Sequence, residues 1–256
     1  MAEPLRVLLL GGTAEALELA HRAARDQCLE IITSLAGRTR DPVAPAGKLR
    51  RGGFGGAEGL AAYLAGERID RVIDATHPYA RAISAHAVAA CARLGVPYLR
   101  LERPPWTARP GDHWIGVPDA AAAADELPAR GQRAFLALGR RALGHFAQRP
   151  AVWYLVRLID PPDPPLVLPR HHLILARGPF DRDAERALLI QYRIDVVITR
   201  NSGGAASYPK IAAARALGLP VIIIARPEPS GGDTVATVDA VITWLDHARR
   251  ATEEIS

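Results

Sequence analysis

The stretch VLLLGGTAEALELA, Val7 to Ala20, passes from an apolar run into helical spacing through Gly11, Gly12, Thr13, Ala14 and Glu15. A glycine turn between strand and helix lets backbone N–H groups and the positive end of the helix dipole hold a pyrophosphate. Against the pattern G-x-G-x-x-G/A, Gly11 fills the first position and Ala16 the third. Thr13 replaces the middle glycine and offers a hydroxyl donor, whereas Glu15 suits a cofactor hydroxyl or amide better than a phosphate. The same residues also suit a tight turn with no ligand, and both readings stand. The following strand, in LEIITSLAGRTR, ends in Thr33, Ser34, Arg38 and Arg40 with no acid among them. An acid there would hold a ribose 2′-hydroxyl. Hydroxyls beside an arginine suit a 2′-phosphate, so NADPH is the expected cofactor; a solvated basic loop is the competing reading.

Three further loops carry groups able to act on a substrate. DATHPYA brings Thr76, His77 and Tyr79 together around Pro78, with Thr76 and His77 expected near the nicotinamide and Tyr79 near the substrate. A helix-capping threonine with a packed histidine is the structural alternative. TRNSGGA offers Arg200, Asn201, Ser202, Gly203 and Gly204, with Lys210 one helical turn on. It reads as an anion site for substrate carboxylates. Arg140 and Arg141 follow Gly139 directly after an apolar run and fit either a carboxylate clamp or an exposed basic turn. The chain has no G-x-S-x-G elbow, no H-E-x-x-H and no Walker lysine loop. His171 and His172 are adjacent on a strand and point oppositely, so no metal site is expected.

The elements that must position these loops follow from alternation. Apolar β-branched runs are expected as strands at Leu5–Leu10, 30–33, Arg71–Asp74, Tyr98–Leu101, 134–138, 152–155, 172–175, 196–199 and 221–225. Alanine-rich helical patterns lie between several of them, as at 14–25, 80–94 and 205–217. Such alternation predicts an α/β protein with parallel sheets covered on both faces. LIDPPDPPLVLPR is too rich in proline for a helix or a central strand and reads as an extended loop. IDRVIDATHPYA is echoed by IDVVITRNSGGA, and LGVPYLRLERP by LGLPVIIIARP, with Leu94 and Leu217 offset by 123 residues. The repeat predicts two similar α/β domains, 1–105 for the cofactor and 106–256 for the substrate, with a cleft between them.

Composition narrows the partners. The chain is 49% hydrophobic and 23% charged with a formal charge of +5, and of its 32 basic residues only Lys48 and Lys210 are lysines. Arginine grips carboxylates bidentately, which points to a polyanionic small ligand, although arginine and alanine usage also fits a GC-rich genome. Without a long basic run, and with only 5% aromatics, nucleic acid is not an expected partner. No window approaches a membrane span, MAEPLRVLLL is too short in apolar residues for a secretory signal, and Cys28 and Cys91 lack metal-ligand spacing. A cytoplasmic location is expected.

The motifs LLLGGTAEA, DATHPYA, LERPPW and RNSGG occur in this order across nearly the whole chain, which resembles the precorrin-6A reductase family of cobalamin biosynthesis. The resemblance implies a cytoplasmic oxidoreductase with two Rossmann-like domains that uses NADPH to reduce one double bond of a tetrapyrrole precursor, giving precorrin-6B. A close branch reduces cobalt-precorrin-6A and often uses NADH; the 2′-phosphate argument favours the NADPH branch. Hydride would pass from the nicotinamide to an electron-poor ring carbon, with His77, Tyr79 or water delivering the proton. Transient contact with neighbouring pathway enzymes is a further expectation. Two other functions fit parts of the sequence. One is an NAD(P)-linked reductase or epimerase of small carbonyls, which would want a Tyr-x-x-x-Lys pair where this chain has Tyr208 and Lys210. The other is a non-catalytic NAD(P)-sensing module.

Overall fold

A computed structural model describes residues 3–37 and 44–253. In chain order the elements of the first part are β1 (Leu5–Leu10), α1 (Ala14–Ala23), β2 (Leu29–Leu35), β3 (Lys48–Arg51), α2 (Gly56–Gly66), β4 (Arg71–Asp74), α3 (Arg81–Leu94) and β5 (Tyr98–Leu101). The second part holds β6 (His113–Val117), α4 (Ala120–Glu126), β7 (Arg133–Ala137), α5 (Arg140–Leu143), β8 (Trp153–Leu158), β9 (His171–Leu175), α6 (Arg182–Gln191), β10 (Val196–Arg200), α7 (Pro209–Ala216) and β11 (Pro220–Ile224). β12 (Asp233–Val235) and α8 (Val238–Glu253) close the chain.

The strands form two six-stranded sheets, β12-β5-β4-β1-β2-β3 and β6-β11-β10-β7-β8-β9. Every pairing in both sheets is parallel. Read from β3, the first sheet has the order 3-2-1-4-5-6 of dinucleotide-binding sheets, and β9-β8-β7-β10-β11 repeats its first five places. Parallel strands need cover on both faces, and β1 obeys this with Val7, Leu8, Leu9 and Leu10 all essentially inaccessible. Val7, Leu9, Ile31 and Ile73 face Leu19, Ala20, Val241 and Leu245. Leu8, Leu10, Ile32 and Val72 face Leu60, Leu64, Ala87 and Cys91. In the second sheet Phe135, Leu155 and Val197 pack under Leu189 and Ile211.

The two compact units are Met1–Arg103 with Pro227–Ser256, and Pro104–Arg226. The expected division into 1–105 and 106–256 therefore needs correcting at its far end. β12 pairs with β5 through Asp233 and Leu99, and Val238, Val241 and Leu245 of α8 enter the first core. Meanwhile β6, which follows β5 in the chain, pairs with β11. Each sheet thus takes as its sixth strand the one that follows the other sheet's fifth.

The proline-dense stretch after β8 is irregular, as its composition demands. The three strands absent from the sequence expectations, β3, β6 and β12, all lie at sheet edges. Edge strands are half-paired and kept short or charged, so KLRR and DTV carry no apolar run to find. Among the described residues no helix is long and apolar enough to cross a membrane.

Candidate active site

In a sheet of order 3-2-1-4-5-6 the chain reverses direction of winding between β1 and β4, and ligands bind beyond the carboxyl ends of those strands. In the first unit that place holds the Gly11–Thr13 turn and the Ala75–Tyr79 loop. One side chain ties them together. Thr13 caps α1, accepting from the Ala16 N–H at 3.1 Å, and its hydroxyl donates to the Ala75 carbonyl at 2.7 Å. Its hydroxyl is thus used inside the protein rather than offered to a phosphate.

A Cβ on Gly11 would lie 3.1 Å from the Thr33 and 3.2 Å from the Leu35 side chain, so a larger residue there would have to displace both by a few tenths of an ångström. The backbone around Gly12 is open: its φ is +115° and a Cβ would meet nothing within 4 Å. The N–H groups of Ala14 and Glu15 head α1 and find no acceptor among the described residues. The buried Thr33 hydroxyl is also without a hydrogen-bond partner. These residues fit a dinucleotide: an open glycine, free first-turn donors and an orphaned hydroxyl at the end of β2.

Other expected contacts resolve differently. Glu15 accepts from Arg103 at 2.6 Å in a half-buried ion pair, which explains an acid beside a phosphate-type turn. Ser34 accepts from Arg50 at 3.3 Å. Arg50 also donates to the Gly52 and Gly53 carbonyls and stacks 3.7 Å over Phe54, setting a cation at the end of β2 that the sequence did not single out. Arg38 and Arg40 lie outside the described residues.

Beneath the DATHPYA loop is a buried charge network. Asp74, fully inaccessible, accepts from the Thr76 N–H (3.0 Å), the Thr76 hydroxyl (2.6 Å), the Tyr98 phenol (3.0 Å) and Arg100 (2.7 Å). Arg100 also donates to Ser84 at 2.6 Å and to Glu102 at 2.5 Å. Burial first, and then the Asp74 carboxylate, push the Tyr98 phenol well above its ordinary range and keep it a donor. Thr76, expected near the nicotinamide, is 8% exposed with its hydroxyl held by Asp74. It fixes the loop whose next residues are half-exposed. There His77 Nδ1 accepts from the Tyr79 N–H at 3.3 Å, and the two rings lie 5.6 Å apart. The helix cap is Ala80, not a threonine.

In the second unit the equivalent strand ends carry Gly139–Arg141 and Arg200–Gly204. A Cβ on Gly139 would come 3.3 Å from the Arg200 guanidinium, so these loops do meet. Arg140 and Arg141 are exposed, and Arg140 donates to the Asp163 carbonyl of the proline-dense loop. RNSGG is less open than its composition suggested, because it grips the RPPW segment. Asn201 accepts from the Trp106 N–H at 2.8 Å and donates to the Trp106 carbonyl at 3.1 Å. The indole N–H reaches the Gly204 carbonyl at 3.0 Å. Gly203 has φ +66°, and a Cβ there would lie 2.1 Å from the Pro104 carbonyl oxygen. Arg226 donates to the Asn201 and Ser202 carbonyls at 2.9 and 3.0 Å.

Lys210, expected as a cation of the substrate-anion site, lies out of reach of such a ligand. It is only 3% exposed, donates to the Ser207 carbonyl at 2.6 Å and lies 4.8 Å from the Trp106 ring centroid. Its phase on α7 turns it inward beside Ile211. The paired histidines serve as packing: His171 contacts the Leu168 carbonyl at 2.9 Å, and His172 stacks on Tyr192.

With the glycine turn and both loop pairs in view, residues 6–246 match the family described as Precorrin-6x reductase CbiJ/CobK. The chain belongs to that family. Over 242 residues it is 48% identical to a precorrin-6A reductase of Rhodococcus erythropolis, covering 94% of this chain and 97% of the relative. A cobalt-precorrin-6A reductase of Priestia megaterium is 28% identical over 261 residues, covering 96% of this chain and all of the relative. A solved structure titled "CobK precorrin-6A reductase" superposes with a TM-score of 0.90 at 48% identity, covering 94% of this chain and 96% of that one. The segments RPPW and RNSGG of this chain interlock through Trp106 and Asn201.

The residues that sequence reasoning passed over are Asp74, Arg100, Arg103 and Arg50. A signal existed for the first two: an acid closing the apolar VID and an arginine inside YLRL are buried charges in need of a partner. For Arg103 and Arg50 the sequence shows only two more arginines among many.

Proposed function

We propose that the chain uses NADPH to reduce one double bond of the precorrin-6A macrocycle, giving precorrin-6B in cobalamin biosynthesis in the cytoplasm. The observation that carries this reading is the far higher identity to a precorrin-6A reductase than to a cobalt-precorrin-6A reductase, over nearly the whole of each chain. The open turn at Gly11–Glu15 supports a dinucleotide. Thr33 and Ser34 at the end of β2 with Arg50 beside them on β3, and no acid among these three, support a coenzyme bearing a 2′-phosphate. When bound, the reduced nicotinamide supplies a hydride to an electron-poor ring carbon. The chain's own contribution is to hold both partners in alignment and to deliver a proton to the neighbouring carbon. His77 and Tyr79 are assigned to the proton, and Arg140, Arg141, Arg200 and Ser202 to the carboxylate fringe of the substrate. The direct test follows reduced-coenzyme absorbance with the purified protein. Loss only when precorrin-6A is present supports the reading; no loss with authentic precorrin-6A overturns it.

Two variants refine the assignment. His77→Ala and Tyr79→Phe are made separately, and whichever residue delivers the proton should lose about 100-fold in kcat, as expected for a lost general acid. Near-normal turnover in both removes the pair from that role. Arg38→Asp should raise KM for NADPH on the order of 10- to 100-fold by removing a charge-assisted hydrogen bond, and leave KM for NADH nearly unchanged. Equal effects on the two coenzymes would remove Arg38 from the 2′-phosphate.

A further inference from the structure

Beside α7 the second unit has a cavity of about 470 Å³ that includes Trp106, Arg109, Arg182, Gly204, Tyr208 and Pro209 in its walls and, among the described residues, no carboxylate side chain. We infer that it receives one acid-bearing pyrrole edge of the tetrapyrrole, with a carboxylate arm on Arg109 and Arg182 and the ring against Trp106 and Tyr208. This rests on the proposed function for the identity of the substrate.

Three observations carry it. The first is charge. Asp112, the acid nearest Arg109 in sequence, is already engaged: it accepts from the Arg109 N–H at 2.7 Å and from Arg215 at 2.9 and 3.0 Å. Among the described residues no carboxylate pairs with the Arg109 guanidinium, which stands 5.2 Å from the Tyr208 ring centroid. Arg182 leans on Asp183 at 3.1 Å, but both are exposed, and an exposed pair of this kind yields readily to a bidentate anion.

The second is rigidity. Trp106 is held by three hydrogen bonds to Asn201 and Gly204, meets Tyr208 edge-on at 5.8 Å, and has the Lys210 Nζ 4.8 Å from its ring centroid. The aromatic wall therefore needs no ordering on binding, which favours affinity. The third is size. The volume lies in the range of small-molecule pockets and is too small for a whole polycarboxylated macrocycle. One ring edge with its acetate and propionate arms matches both the room and the pattern of two cations over an apolar wall.

The test uses uroporphyrin as a tetrapyrrole polycarboxylate probe, titrated calorimetrically into the wild type, Arg109→Ala and Arg109→Ala/Arg182→Ala. The expected result is micromolar-range binding by the wild type, weakened on the order of tenfold in the single variant and further in the double variant. NADPH affinity should be unchanged, and KM for precorrin-6A should rise while kcat holds. The octamethyl ester, with the same ring system and no acids, should not bind. Equal uroporphyrin affinity in the wild type and double variant overturns the inference, as does no binding by the wild type. Binding of benzenetricarboxylate as tight as that of uroporphyrin also overturns it, because the cavity then reads charge alone. Uroporphyrin binding that depends on Arg109, in a protein that does not reduce precorrin-6A, leaves this cavity standing and overturns the proposed function instead.

Discussion

Arg100→Met is expected to destabilise the first unit by about 3–5 kcal/mol, the usual cost of leaving one member of a buried ion pair alone. Arg100 is 4% exposed and Asp74 fully inaccessible, and the two are register partners on β4 and β5. Removing the guanidinium strips Asp74 of the cation paired with it among the described residues, and Ser84 and Glu102 of a donor. The carboxylate is left with the Tyr98 phenol and Thr76, neutral donors that cannot compensate its desolvation. Activity should fall with stability, because Asp74 holds Thr76 and Thr76 leads into His77. Urea denaturation followed by circular dichroism measures the first effect. The double variant Asp74→Leu/Arg100→Met should be less destabilised than the sum of the single variants, since it leaves no orphaned charge. A single variant within about 1 kcal/mol of the wild type would show that the pair is not what holds this loop.

Lys210→Met should give a stability difference that depends on pH. Burial, and secondarily the nearby Arg157 guanidinium against a smaller opposing effect of Glu185, push the Lys210 amine down from 10.5 to about 7. The unfolded chain therefore binds the extra proton between about pH 7 and 10.5, and wild-type stability rises with pH across that window. Below it the ammonium is charged in both states and its desolvation cost is fully present. Methionine has no such cost, so the variant should gain most over the wild type at pH 6 to 7 (about the low end of the window) and lose that advantage by about 1.4 kcal/mol per unit above it. Between about pH 7 and 9 the difference should shrink by roughly 2–3 kcal/mol. Denaturation midpoints of both proteins at several pH values test this, with shared titrations cancelling. A difference that stays flat with pH would mean that Lys210 keeps an ordinary pKa. The ion pair of Arg157 with Glu185, stacked 3.7 Å over Phe180, is the neighbour to hold constant.

Much of this molecule was legible before any coordinate. Nine strands follow from apolar β-branched runs, and the glycine turn, the repeat and the loop positions follow with them, because side-chain periodicity and turn chemistry are local properties. What escaped was decided at a distance. Lys210 reads as a basic residue after a glycine loop, and only its phase on α7 buries it beneath Trp106. Asn201 and Gly203 read as anion donors, yet the backbone of Pro104–Trp106 reaches them first. Glu15 looks misplaced until Arg103 arrives from the end of β5.

The sequence by itself determined which segments become strands and helices, that the two halves repeat one plan, and which family the motifs evoke. Only the tertiary structure decided that β12 leaves the second half of the chain to join the first sheet, that α8 returns to the first core, and which hydroxyls and charges are already engaged. The physical reason is that pairing register and burial are set by contacts between residues far apart in the chain. A polar group's availability depends on which partner comes within hydrogen-bonding distance once the core has closed.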